Sequence, residues 1–119
     1  MTHLLSAVLV AVLAAVDVSG TWTGTLTPDG QEAGPALLVL RQEGAAVTGT
    51  VGGGENDRLP IRKGTIENDV VTLEVETPAG VMKFVLKQNG DELTGAVTRE
   101  RDGQLQKATL AVKRTAPPK

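Results

Sequence analysis

The sequence predicts an all-β fold: eight short antiparallel strands in an up-and-down meander, closed into a small barrel, with an open half-barrel or sandwich as the alternative. Three observations lead there. Apolar and polar residues alternate over short runs, the period-two signature of a sheet with one face in a core. Turn-forming pairs such as Asn68-Asp69, Asn89-Gly90 and Asp102-Gly103 separate these runs at short intervals. The strand registers implied by the turns agree on one buried face.

The chain opens on residues 4–16 (LLSAVLVAVLAAV), an apolar run of 13 followed by Asp17. That length matches the hydrophobic region of a signal peptide and is short for a bilayer span. Residues 1–16 are therefore expected to be a leader, the domain to occupy residues 17–114, and the protein to be periplasmic or extracellular, with no membrane insertion once the leader is removed. Its first segment, Met1-Thr2-His3, lacks the Lys or Arg usual before such a run.

The first strand is read over residues 19–27. Trp22, Gly24 and Leu26 alternate with Thr21, Thr23 and Thr25, which turns Trp22 inward. In the next pair of strands, LVLRQEGAAVTGTV (residues 38–51) aligns without gaps on FVLKQNGDELTGAV (residues 84–97), 46 residues later. Two four-stranded halves, duplicated and drifted, follow from that match. Glu43-Gly44 then plays the part of Asn89-Gly90, with Leu40 opposite Val47 and Leu38 opposite Gly49. The stretch 52–57 (Gly-Gly-Gly-Glu-Asn-Asp) is expected to be a long, flexible loop. The fourth strand, starting near Leu59, needs a bulge around Lys63-Gly64 to keep Ile61 and Ile66 inside.

The later turns give registers that can be checked against polarity. Asn68-Asp69 sets Ile66 opposite Val71. Pro78-Ala79 sets Val75 opposite Met82, Leu73 opposite Phe84 and Val71 opposite Leu86. Asn89-Gly90, as a type I′ pair, sets Leu86 opposite Leu93, Phe84 opposite Gly95 and Met82 opposite Val97. Asp102-Gly103 sets Val97 opposite Ala108, Gly95 opposite Leu110 and Leu93 opposite Val112. All place apolar residues inward and Lys83 and Lys87 outward. The inward set is wholly apolar, and Gly24, Gly49 and Gly95 either let the strands coil tightly or leave room for a ligand. The tail, residues 115–119, carries two prolines and is expected to be loose.

Gly20-Thr21-Trp22, on the first strand of an eight-stranded meander, resembles the Gly-X-Trp opening of lipocalins and the similar opening of avidins. The domain is also similar to barrel modules of exported bacterial proteins. The resemblance implies a calycin-like barrel. Lipocalins are longer, with a helix after the barrel, and avidins line their pockets with polar and aromatic groups that this chain lacks.

Composition narrows the function. There is no Cys or Tyr, and the only His is His3, inside the expected leader. The usual general base, thiolate nucleophile and metal or haem ligands are thus missing from a mature chain. The remaining carboxylates, such as Glu74, Glu76, Asp91 and Glu92, fall on an outward face or beside a turn, so no enzyme activity and no cofactor is expected. Glu55-Asn56-Asp57 lacks EF-hand spacing, and no metal site is assigned. Gly52-Gly53-Gly54 has no following Lys-Ser or Lys-Thr and is not a phosphate cradle. A net charge of −2 without a basic stripe argues against nucleic-acid binding.

A non-enzymatic binding module is the leading expectation. It would act through its outer face or loop end on a protein partner or a second copy, with outward Leu37 and Val39 as the contact. The alternative is a carrier of a small apolar ligand inside the barrel, with Trp22, Leu38 and Phe84 as candidate lining. Trp22 is read first as a plug at the closed end. A third reading is a small protease inhibitor. Some bacterial inhibitors of secreted metalloproteases are similar eight-stranded barrels, usually with a disulfide, whose N-terminal segment (here residues 16–21) enters the enzyme's cleft.

Overall fold

The computed structural model describes residues 17–116; the expected leader (residues 1–16) and the last three residues of the tail lie outside the described residues. The strands are β1 (Gly20–Pro28), β2 (Gly34–Glu43), β3 (Ala46–Gly54), β4 (Asp57–Pro60), β5 (Lys63–Glu67), β6 (Val70–Thr77), β7 (Gly80–Asn89), β8 (Glu92–Arg101) and β9 (Gln104–Ala116). All pairings are antiparallel, and the described residues include no helix. β4 and β5 are two pieces of one strand, so the meander has eight strands. β1 pairs with both β2 and β9, and β2 pairs with β3, which closes the ring. Closure leaves no free sheet edge running the barrel's length.

Three of the turn-derived registers are observed as expected. Ile66 faces Val71; Val75, Leu73 and Val71 face Met82, Phe84 and Leu86; Val97, Gly95 and Leu93 face Ala108, Leu110 and Val112. Asn68 and Asp69 both have positive φ (53° and 66°), as do Asp102 and Gly103 (54° and 79°). That is the backbone a type I′ turn requires. At Pro78-Ala79 the Thr77 hydroxyl closes the turn instead, accepting from Ala79 N (3.1 Å) and donating to Gly80 O (2.8 Å).

The registers at Asn89-Gly90 and Glu43-Gly44 are corrected by two residues. Leu86 faces Gly95, Phe84 faces Val97 and Met82 faces Arg99. Likewise Leu38 faces Val51 and Leu40 faces Gly49. In both hairpins only the glycine takes positive φ (Gly44 62°, Gly90 63°). A type I′ turn needs two such residues, so the turn moves one residue onward. A two-residue slip preserves each residue's face, because side chains alternate with period two. It also brings Gln42 opposite Val47 and Gln88 opposite Leu93, both on the inward face. The inward face is therefore not wholly apolar.

The stretch expected as a long loop is a tight hairpin. β3 runs through Gly54, and β4 begins at Asp57, with a bulge between Gly52 and Gly54. A β-carbon on Gly52 would collide with the carbonyl oxygen of Asp57, so the close approach requires glycine there. The irregularity expected at Lys63-Gly64 falls earlier, at Ile61-Arg62. Ile61 N donates to Gly49 O on β3, and Arg62 N donates to Glu74 O on β6, each 2.8 Å. N–H groups along this strand thus point alternately to its two neighbours, and Pro60 occupies a position whose N–H would face β6. Lacking that donor, the chain cannot extend the ladder with β6 past Arg62. The Arg62 guanidinium spans the discontinuity on the outside, 3.0 Å from Glu74 and 3.6 Å from Glu76.

Every apolar side chain expected to face inward lies in the core or packs against it, and Val18, Ala36 and Leu59 join them. Leu38, Leu73, Leu86, Leu93 and Leu110 are almost fully buried, each contributing roughly 1.5–3 kcal/mol. The inward glycines serve coiling rather than space. A β-carbon on Gly24, Gly49 or Gly95 would strike the backbone carbonyl of Ala111, Val39 or Val85 on the adjacent strand. β9 continues through Thr115, whose hydroxyl donates to Thr21 O (3.2 Å), so the strand enters the segment expected to be loose.

Phe84 lies in the core between Leu73 and Val97, while Lys83 and Lys87 are exposed. Phe84→Ala is expected to cost about 3–5 kcal/mol in a denaturant titration. Lys83→Ala and Lys87→Ala should each stay within about 0.5 kcal/mol of the unmodified protein. A lysine variant losing as much as Phe84→Ala would contradict the assigned faces.

Candidate ligand-binding site

The two ends of the barrel are built differently. At the end bearing the Glu43–Ala46, Glu67–Val70 and Asn89–Glu92 turns, residues 17–19 are held against the barrel by hydrogen bonds. Trp22 Nε1 donates to Val18 O (3.0 Å), and Val18 N donates to Gln42 Oε1 (3.0 Å). Gln42 N donates to Ser19 Oγ (2.9 Å), and Ser19 N to Asp17 Oδ1 (2.6 Å). Val18 and Trp22 are fully buried. The inward Gln side chains turn back over their own hairpins: Gln42 Nε2 donates to Gly44 O (2.9 Å) and Gln88 Nε2 to Gly90 O (3.4 Å).

Arg114 completes this end. It follows Leu110 and Val112 on the inward face of β9 and pairs with Trp22 across the closing β1–β9 ladder. Its guanidinium carbon lies 4.5 Å from the Trp22 ring centroid, a cation–π geometry. The side chain is only 7% exposed and makes a 2.9 Å ion pair with Asp91. Nη1 also donates to the carbonyls of Asp17 (2.9 Å) and Ser19 (2.5 Å). A buried guanidinium with this many acceptors satisfies most of its fixed fork of donors. Trp22 thus has polar partners that the inward apolar pattern did not signal.

The other end is open. A cavity of about 290 Å³, half open to solvent, enters the barrel between Leu26, Ala36, Leu38, Val51, Leu59, Val75, Met82, Phe84 and Leu110. Pro35, Gly52, Gly53 and Asp57 complete its lining, and Asp57 is the only charged residue among them. Leu26 and Met82 also border a second space of about 430 Å³ at the mouth, so the two adjoin. The mouth is lined by Val97, Leu105 and Ala108 together with Asp29, Gln31, Arg99, Gln106 and Lys107. Arg99 is half-buried and faces Gln106, whose Oε1 accepts from Arg99 Nε (3.1 Å) and Nη2 (2.7 Å).

Of the residues named from sequence, Leu38 and Phe84 line the inner cavity, and Trp22 lines neither space. Leu37 lies on the opposite face from the core residue Leu38, yet it is only 9% exposed, and Val39 is half-buried. Among the described residues, the large apolar side chains most open to solvent are Val85 (52%) and Leu105 (59%). Arg99, Gln106, Ala36 and Leu59 were not singled out from sequence. Ala36 could have been found, since it continues the alternation of Leu38 and Leu40. No group of three or more acidic or His residues able to hold a metal occurs among the described residues. Comparison with protein-family models, curated proteins and solved structures finds no match to the chain.

Arg114→Ala removes a charge-assisted donor set and leaves two carbonyls at the barrel end short of partners. It is expected to cost about 2–4 kcal/mol and to red-shift the fluorescence of Trp22, the single tryptophan. Asp91→Asn weakens only the solvent-facing arm and should cost less than about 1 kcal/mol. Equal losses for the two variants in denaturant titration would contradict a role for Arg114 in tying down residues 17–19.

Proposed function

We propose that this protein is an exported, non-enzymatic barrel that holds a small apolar ligand in its interior. The observation that carries this reading is the 290 Å³ cavity bounded by apolar side chains from most of the barrel's strands. Its size sits at the low end of ligand pockets, and an apolar wall with few polar groups suits them. The sealed opposite end makes the cavity a cup rather than a channel. The calycin-like resemblance of Gly20-Thr21-Trp22 and the apolar leader run support the same reading, since lipocalins and avidins hold ligands within such barrels.

Binding through the outer face has less support, because Leu37 offers little exposed surface. The inhibitor reading is weakened in the same way: Val18 is buried, and residues 17–19 are bonded to the barrel end rather than free to enter a cleft.

The neutral fluorescent hydrophobe N-phenyl-1-naphthylamine is expected to bind the mature protein at micromolar concentration with a blue-shifted emission. Ala36→Phe projects a ring into the cavity and should abolish that signal while leaving the unfolding midpoint close to that of the unmodified protein. Absence of binding by the unmodified protein, or undiminished binding by folded Ala36→Phe, would contradict the reading.

A further inference from the structure

We infer that the ligand is an amphiphile with an anionic head, held tail-inward with the head at Arg99; this rests on the interior-binding reading above. Arg99 continues the inward alternation of Leu93, Gly95 and Val97 on β8, so the guanidinium stands on the barrel's inner face at the rim. Its direct neighbours across the ladders are Met82, which lines the apolar cavity, and Gln106. Arg99 is therefore level with Met82. One inward step deeper on the same two strands stand Val97 and Phe84, of which Phe84 lines the apolar cavity, so the guanidinium sits at the rim of the apolar wall.

The chemistry of this rim fits an anion. Gln106 Oε1 takes one N–H from Nε and one from Nη2, and orients the planar fork by a two-point contact. Of the five guanidinium donors, those on Nη1 and the second on Nη2 stay available to a carboxylate or sulfate oxygen. Asp29 is the one negative charge among the residues of the mouth, and Lys107 lies on the outward face of β9 opposite Thr98, so Arg99 is the cation turned inward there. Asp29 N–H donates to Lys107 O (3.0 Å), which ties the β1–β2 turn to β9. A neutral apolar molecule would leave Arg99 unused, whereas a molecule with a tail alone in the cup and an anion at its end uses both layers.

Titration calorimetry with decanoate and with 1-decanol, at neutral pH and low salt, separates the two layers. The unmodified protein is expected to bind decanoate about tenfold more tightly than decanol, the scale of one charge-assisted contact. Arg99→Gln should abolish that preference with decanol affinity unchanged, and Arg99→Lys should retain part of it. The preference should also shrink at high salt, as expected of a contact at a partly exposed rim. Equal affinity for the two probes, or a preference that survives in Arg99→Gln, would overturn the anionic head while leaving interior binding standing. Failure of both probes to bind would overturn both readings.

Discussion

The contact between Trp22 and Arg114 is the one on which the rest of this barrel depends. A meander of this kind becomes a barrel only if its first and last strands meet, and these two residues face each other across that junction. Neither could sit there alone. A buried guanidinium without partners is too costly, and an indole of this size at a barrel end leaves its N–H in need of an acceptor. Stacked 4.5 Å apart, they solve each other's problem, and the surplus donors of Arg114 secure residues 17–19 against the end. The chain preceding β1 thereby becomes part of the closure.

Sealing one end this way allows the other to remain open. The core below the cavity is carried by aliphatic side chains and one large aromatic, with Gly24, Gly49 and Gly95 letting neighbouring backbones approach so that short strands coil into a narrow ring. Towards the mouth the inward residues, Leu26, Ala36, Leu59, Val75 and Met82, do not fill the interior. Part of the reason is compositional: with Phe84 the only aromatic besides Trp22, no second large ring is present to occupy the upper layer. The strand break at Pro60 adds to it, since β4 bonds to β3 but leaves β6 without a ladder partner there.

Much of this was legible in the sequence because sheets encode their faces with period two. Ile66, Val71, Leu73, Val75, Leu93, Val97, Leu110 and Val112 could be assigned inward from turn positions alone. Even the two hairpins whose registers slipped kept the right faces, since a slip of two residues is invisible to alternation. What alternation does not flag is a polar residue that continues an apolar series. Gln42 after Leu40, Gln88 after Leu86, Arg99 after Val97 and Arg114 after Val112 all hold inward positions, and these residues close one end and dress the other. The parity was available; the polarity argued against using it. The break at Arg62 had a sequence cause too, in the missing donor of Pro60. The size of the cavity could not be read from the sequence, because it also depends on how far strands coil.

The barrel is plugged at the Trp22 end and open and apolar at the other. Xenon under pressure tests this arrangement directly, since the atom enters dry apolar cavities without needing any specific chemistry. Methyl NMR spectra recorded across a pressure series should show saturable shifts confined to Leu26, Ala36, Leu38, Val51, Leu59, Val75, Met82 and Leu110, with the methyls of Val18 and Val112 towards the Trp22 end unmoved. Shifts absent throughout, or centred on Val18 and Val112, would contradict it.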